Sequence, residues 1–263
     1  MAGSPAVTGE RQRPEAPARP PQPGPARRRL PSPRLLLLLA VLVTLLGAAV
    51  IWLLYGSQWL RVEKVTTSGT RVLTAQQVLD IAAVPVGAPL VSVDTEAIED
   101  RLRRELPRID SVDVVRAWPH GIALKVTERK PVLLLHKGGK FVEVDARGVR
   151  FATVTRPPEN VPKLRLNAGR SPSLHRFGTD RLLVAAVDVA GDLPRAVVAR
   201  TRTMEVRSYD SISLELTDGR TVDWGSSEKG ESKAAVLTAL LKAAPDARHF
   251  DVSAPTSPAV SGS

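Results

Sequence analysis

The 263-residue sequence contains no cysteine, which excludes disulfide bonds, thiolate-bound zinc, iron–sulfur clusters and cysteine-based catalysis. Aromatic residues make up only 4% of the chain, too few for a platform on which nucleobases could stack. The four histidines are scattered, and the sequence lacks H-E-x-x-H, Walker A, G-x-G-x-x-G and G-x-S-x-G patterns. We therefore expect no metal, no cofactor and no nucleic-acid partner.

One long stretch lacks charge altogether. Residues 35–55 read LLLLLAVLVTLLGAAVIWLLY. As a helix rising ~1.5 Å per residue, this stretch would span ~32 Å, close to the ~30 Å hydrocarbon core of a bilayer. It is too uniformly apolar for the core helix of a soluble protein, and it continues past the small residues 47–49 where a signal peptidase would cut. We expect a transmembrane helix over 35–55, with a cleaved signal peptide as the alternative.

The segment before this stretch, 1–34, is rich in proline and arginine. It holds nine of the 22 prolines and seven arginines, against two acidic residues. Such a composition cannot bury a core, so we expect a disordered basic tail. Because the arginines crowd the N-terminal side of the apolar stretch, the positive-inside rule places the tail in the cytoplasm and exports the rest. The expected arrangement is a single-pass, type II protein of the cytoplasmic membrane.

The exported part begins with a small module over 61–128. A short strand over Val62–Ser68 is followed by two helices, capped at Thr74 and Asp94, and then by a hairpin that turns at His120-Gly121. This β-α-α-β-β order predicts an α+β module with both helices on one face of the sheet.

The rest of the chain, 129–255, contains many short strands and two helices, which predicts a β-rich module with flanking helices. Its prolines favour an irregular crossing over 155–173, and we expect a flexible tail over 256–263. The final strand, His249–Ser253, follows a helix, as edge strands often do. An edge presents unpaired main-chain groups to a partner strand. The alternative is that this strand is already paired on both sides within its own sheet.

A single catalytic pattern is present. Ser226 and Lys229 form an S-x-x-K pattern at the start of a helix, as in penicillin-binding enzymes. No S-D-N or K-T-G pattern accompanies it, the pattern recurs often by chance, and we interpret the pair as a helix cap followed by a solvated lysine. We expect no enzymatic activity, with an anchored cell-wall enzyme using this pair as the alternative.

Several short stretches carry a family resemblance. They are Val62–Val65 with Gly69, Trp118-Pro119, Val126–Pro131, Val144–Val149 and Phe250–Pro255. In order and spacing they resemble the FtsQ/DivIB family of bacterial cell-division proteins, over nearly the whole chain from residue 30 onward. The first module then looks like a POTRA domain. A membrane-anchored POTRA protein of another envelope assembly or export pathway is the alternative, although the sequence lacks the repeated strands of a membrane β-barrel.

The resemblance implies a non-enzymatic scaffold of the divisome, enriched at the division septum. It implies binding to FtsB (DivIC in many bacteria) and FtsL, with an indirect link to the septal peptidoglycan synthases FtsW and FtsI. In this family the C-terminal edge of the β module receives a strand from FtsB. Carried over by position, the expected partner-binding residues are Phe250, Asp251, Val252, Ser253, Trp224, Gly225 and Glu231. An edge strand can also pair with a second copy, so weak self-association is a further expectation.

Overall fold

A computed structural model describes residues 32–167 and 172–262. The predicted basic tail lies outside the described residues, apart from its last three. The chain divides after Ile51 into an N-terminal helical unit and a larger unit that begins at Trp52.

The N-terminal unit is the helix α1, Pro33–Ile51, and a π-helical turn at Trp52–Gly56 extends it. None of its side chains is buried by the protein, and its leucines are about half to two-thirds exposed. An apolar helix without a protein core around it requires an apolar solvent. Within the described part of the chain, Pro33–Gly56 is the helix long and apolar enough to cross a bilayer, which fits a single-pass membrane protein.

The first module has the predicted β-α-α-β-β order. Its elements are β1 Lys64–Ser68, α2 Ala75–Ala82, α3 Thr95–Glu105, β2 Ile109–Ala117 and β3 Gly121–Glu128. The sheet order is β1-β3-β2, with β1 parallel and β2 antiparallel to β3. Apolar residues of both helices and the sheet, among them Val78, Leu102 and Leu124, are fully buried in one core.

Local sequence signals explain the ends of these elements. The Thr74 side chain accepts a hydrogen bond from Gln77 N, and Gln77 Oε1 accepts one from Thr74 N, which completes a capping box at α2. Asp94 caps α3 by accepting from Ala97 N. After β1 the chain turns at Gly69 with φ 87°, and a Cβ at this position would clash with the Val126 carbonyl oxygen. Only glycine therefore allows the chain to turn so close to β3.

The second module contains most of the strands. Its elements are β4 Leu133–Lys137, β5 Lys140–Val144, β6 Arg150–Val154, β7 Lys163–Leu166, α4 Pro172–Asp192, α5 Arg195–Val198, β8 Thr201–Ser208, β9 Ser211–Leu216, β10 Thr221–Gly225, α6 Gly230–Ala243, β11 His249–Asp251 and β12 Ala259–Ser261. The described strands form one sheet in the order β12-β11-β10-β9-β8-β7-β4-β5-β6. Helices α4 and α6 pack against it, with Leu182, Ala186 and Leu237 fully buried in the shared core.

Two features of this module differ from the expectations. The region expected to be an irregular crossing contains β7, which lies inside the sheet, parallel to both β4 and β8. The expected flexible tail contains β12, which pairs antiparallel with β11. Pro258 directly precedes β12, where the missing N–H of proline costs no hydrogen bond inside the strand.

Candidate functional site

The last strands of the sheet form the candidate partner-binding edge. Strand β11 lies between β10, to which it is parallel, and β12, to which it is antiparallel. Phe250 stands opposite Val222 on one side and Val260 on the other. The strand predicted to be the edge is therefore paired on both sides, and the sheet ends one strand later, at β12. All three residues of β12 are exposed.

Side chains alternate between the two faces of β11 and the residues that follow it. Phe250 and Val252 are fully buried in the module's core. Asp251 is half-buried and Ser253 is exposed. Because the side chains of Phe250 and Val252 are buried in the core of their own module, they stabilise the edge and are not available to a partner's side chains.

Trp224 and Gly225 lie at the end of β10, beside the segment that follows β11. The Trp224 side chain is fully buried, whereas a Cβ on Gly225, at φ 78°, would meet Ser253 Cβ at 2.9 Å. The chain therefore brings Gly225 and Ser253 close together. Glu231 is exposed in the first turn of α6.

The direction of the main-chain groups identifies the free donor at the edge. Thr221 N donates to the Arg248 carbonyl at 2.9 Å and Val252 N donates to the Asp223 carbonyl at 2.9 Å, so Phe250, which lies between Arg248 and Val252, directs its main-chain groups toward β10. Strand alternation then directs His249 and Asp251 toward β12, where they stand opposite Ser261 and Ala259. The N–H and C=O of Val260, between those two residues, point away from the sheet.

A short turn ends β11 and fixes its carboxylate. Asp251 Oδ1 accepts hydrogen bonds from the Ser253 hydroxyl at 2.7 Å and from Ser253 N at 2.9 Å. These two hydrogen bonds hold the pKa of the Asp251 carboxyl below its ordinary value, and the bond from the Ser253 hydroxyl has the larger effect. The edge therefore carries a fixed negative charge next to its exposed face at neutral pH.

The S-x-x-K pattern has a structural role at the start of α6. The Ser226 hydroxyl accepts a hydrogen bond from Glu228 N at 3.4 Å, and Lys229 is the left-handed N-cap residue of the helix. The lysine that reaches Ser226 is Lys233, whose Nζ donates to the Ser226 carbonyl at 2.8 Å. Burial lowers the pKa of Lys233. A base held against the Ser226 hydroxyl, which a nucleophile requires, is not part of this arrangement.

Ion pairs join the two modules at the Val126–Pro131 stretch. Arg129 donates to Asp145 Oδ2 at 2.5 Å, to Asp110 Oδ1 at 3.1 Å and to the Pro107 carbonyl at 3.0 Å. Its side chain and that of Asp145 are only 15% and 7% exposed. Arg108 of the first module pairs with Glu143 of the second at 2.6 Å, also largely buried. Two stretches that carried the family resemblance thus meet across this junction.

The same stretch closes the loop after β1. The Glu128 carboxylate accepts main-chain hydrogen bonds from Arg71, Val72 and Leu73, at 2.7 to 3.1 Å. Burial raises the pKa of this carboxyl, but the three N–H groups outweigh burial, and the pKa lies below the ordinary 4.5. The sequence marked Glu128 only as part of a motif and did not reveal its partners, which are more than fifty residues away.

Within the described residues, no group of three or more His, Asp or Glu side chains is arranged to hold a metal ion. The described geometry offers two candidate features, the exposed sheet edge at β12 and the ion-paired junction between the modules, which lies beside β5 toward the opposite end of the sheet.

Comparison with known proteins assigns the family. The model of the FtsQ-type POTRA domain matches residues 60–129, and that of the FtsQ/DivIB C-terminal region matches residues 133–253. A cell division protein FtsQ from Streptomyces collinus is 62% identical over 268 residues and covers 100% of both chains. That from Streptomyces venezuelae is 63% identical over 246 residues, with 93% of this chain and 90% of the relative covered.

A more distant relative and a solved structure extend the comparison. The FtsQ of Mycobacterium leprae is 32% identical over 207 residues, covering 79% of this chain and 58% of the relative. The major extracytoplasmic domain of DivIB from Geobacillus stearothermophilus aligns with a TM-score of 0.34 and 16% identity, covering 44% of this chain and 94% of that chain. The latter likeness is too remote for positions to be compared.

The fold and the matches define a cell-division protein with one candidate membrane-spanning helix, a POTRA module and a β-rich module. The chain belongs to the FtsQ/DivIB family, whose members are scaffolds of the bacterial division complex. The predicted resemblance and α+β fold are confirmed. Membership of this family also removes the alternative of a POTRA protein from another envelope assembly or export pathway.

Proposed function

We propose that this protein is a non-enzymatic scaffold that binds FtsB/DivIC-type and FtsL-type single-pass proteins outside the cytoplasmic membrane. Through them it is linked indirectly to FtsW, FtsI and septal peptidoglycan synthesis. The basic N-terminal tail lies in the cytoplasm, both folded modules lie outside, and the protein is enriched at the septum. The arginines before the apolar helix support this orientation, and family membership supports the partners.

The observation that carries this proposal is the free outer side of β12. A partner strand placed beside β12 would accept the Val260 N–H and donate to the Val260 C=O, extending the sheet by one strand. Main-chain bonds would supply affinity, and alternate side chains of the partner would supply specificity. Among the residues expected from the family, Asp251, Ser253 and Glu231 are accessible to that partner, while Trp224, Gly225, Phe250 and Val252 would support the edge.

The test removes one main-chain donor from the edge. Val260→Pro deletes the outward N–H without removing a donor to β11, and Val260→Thr is its matched control because it keeps both the side-chain shape and the N–H. We expect the proline variant to lose copurification of FtsB- and FtsL-type proteins, and the threonine variant to retain it. Retention of both partners by a folded Val260→Pro protein would contradict strand addition at β12.

Crosslinking gives an independent readout in growing cells. A photoreactive residue at the exposed position Ala259 should capture a small single-pass division protein. The same residue at exposed Thr153, on the β6 edge at the other end of the sheet, serves as the control. Capture of a second copy of this chain from Ala259 instead would assign the edge to self-association.

The absence of catalysis has its own test. Ser226→Ala should support division like the wild type, because the Ser226 hydroxyl serves the turn before α6 in this arrangement. Loss of division by a stable Ser226→Ala protein would favour the cell-wall enzyme.

A further inference from the structure

Three exposed apolar side chains of the larger unit have no role in the proposed function. Trp59 is 79% exposed, Val86 is 68% exposed and Trp118 is 53% exposed. They come from three separate segments: the turn before β1, the loop between α2 and α3, and the turn between β2 and β3. Large apolar side chains at such exposure indicate a surface that contacts something other than water.

Main-chain hydrogen bonds tie these segments to a single stretch, residues 61–64. Gly87 N, next to Val86, donates to the Val62 carbonyl at 2.7 Å. Glu63 N donates to the His120 carbonyl, two residues after Trp118, at 2.8 Å. Trp59 lies two residues before the start of this stretch. The three side chains therefore belong to the same end of the first module.

That end is the one closest to the membrane. The candidate span ends at Gly56, and even a fully extended chain would keep Arg61 within about 18 Å of it. The connection is shorter than this limit because Gln58–Leu60 forms a 3-10 turn, which rises only ~2 Å per residue. The turn Trp52–Gly56 also contacts the turn Leu90–Ser92, which follows the Val86 loop.

The opposite end of the first module is the end that is joined to the second module. Strands β1 and β3 are parallel and both start at the membrane-proximal end, beside Lys64 and Gly121. Strand β1 ends at Ser68, ~13 Å further on at ~3.3 Å per residue, and β3 ends at Glu128, ~23 Å further on. The chain enters the second module just after Glu128. Val72 lies at this end of the first module, because its N–H donates to the Glu128 carboxylate, and its side chain is 65% exposed, almost as much as that of Val86.

We propose that Trp59, Val86 and Trp118 form a docking face that seats the first module on the outer leaflet of the membrane. Tryptophan is enriched at the lipid–water interface because its ring is apolar and its N–H is polar, and valine adds apolar area beside it. The occupant is a lipid surface because Trp59 follows the last residue of the candidate span by only three positions, and the stretch that holds the segments of Val86 and Trp118 begins at residue 61. This inference rests on the proposed membrane placement.

Docking would restrict the tilt of the module on its anchor. A span followed by a free hinge would let the second module sweep a wide volume, whereas a seated first module and the ion-paired junction would hold it in one direction. The β12 edge would then be presented to partners anchored in the same membrane at a fixed height.

The absence of cysteine makes the test direct, because single cysteines can be introduced without removing native ones. Val86→Cys and Trp118→Cys are labelled with the environment-sensitive fluorophore NBD. The full chain is then placed in nanodiscs of phosphatidylcholine and phosphatidylglycerol. Val72→Cys is the matched control for exposure, and Val43→Cys in the span reports insertion. Nitroxide lipids labelled near the headgroup or deep in the acyl chain measure the depth of each fluorophore.

We expect blue-shifted emission at positions 86 and 118 with quenching by the shallow nitroxide, as for groups ~5–10 Å into the interface. Position 72 should behave as in water. Val86→Glu should abolish the shift at Trp118→Cys without changing the signal at Val43→Cys. Water-like signals at 86 and 118 with a lipid-exposed position 43 would overturn docking alone. A water-like signal at position 43 as well would overturn both docking and the membrane placement.

Discussion

The Arg129–Asp145 ion pair is expected to hold the two modules together, and its loss should be costly. Arg129→Met keeps much of the side-chain length but removes the charge from a partner that is 7% exposed. Removing one partner of a buried pair typically costs ~3–5 kcal/mol, because the other charge stays buried. Asp145 would still accept from Arg147 N and Val149 N, so we expect a loss near the lower limit, ~3 kcal/mol.

A double-mutant cycle separates this pair from its surroundings. Urea unfolding of the full chain in detergent would be measured for Arg129→Met, for Asp145→Asn and for the two together. The combined loss should be smaller than the sum of the single losses by more than ~1 kcal/mol. As a control, Arg207→Met at the surface pair with Glu205, where Arg207 is 62% exposed, should cost under ~1 kcal/mol.

Hydrogen exchange gives a local readout of the same change. In the Arg129→Met variant, the amides around Asp110 and Asp145 should exchange faster, because each side of the junction loses a partner. The reasoning would be refuted if the two single losses added to within ~0.5 kcal/mol of the double loss, since independent sites behave in that way.

Two further predictions concern the loop after β1. Gly69→Ala should destabilise the protein by more than ~2 kcal/mol, from left-handed backbone strain plus the clash with the Val126 carbonyl. Gly87→Ala, at φ 85° with no atom within 4 Å, should cost only the ~1–2 kcal/mol of strain, and equal losses in urea unfolding would show that the contact is irrelevant. Glu128→Gln should cost ~1–2 kcal/mol at neutral pH, because a charged acceptor of hydrogen bonds becomes neutral. Since the folded pKa is lowered, the wild type loses this contribution as the pH falls below 4.5, and the gap between the unfolding curves of the two proteins should close there; a gap that stays constant would show that the charge is not involved.

The first module was predictable because its signals are local. Thr74 and Asp94 mark the starts of both helices through side-chain oxygens that bind N–H groups three residues ahead. The hairpin alternates apolar and polar residues over enough positions to fix the buried face. These features depend on neighbours in sequence, and each was recovered with its correct place in the order of elements.

The second module was harder to predict from the sequence, because its sheet is assembled from segments that are distant in sequence. Strand β7 has four residues and lies among prolines, so its pattern is too short to compete with the turn signals around it. Its place between β4 and β8 depends on two parallel pairings that only the folded chain reveals. The same holds for Glu128, whose hydrogen-bond partners are main-chain groups without any signature in the sequence.

The edge was displaced by one strand for a related reason. Phe250–Ser253 has the alternation of a buried strand, and the prolines after it suggested that the sheet had ended. Strand β12 has only three residues, Ala-Val-Ser. It is recognisable as a strand because it pairs with β11, and its side chains give no strand signal. A site that binds by strand addition works through main-chain atoms, so its residue types are weakly constrained. For such a site, the order of the strands locates the interface, and the alternation of N–H directions identifies Val260 as the position to change.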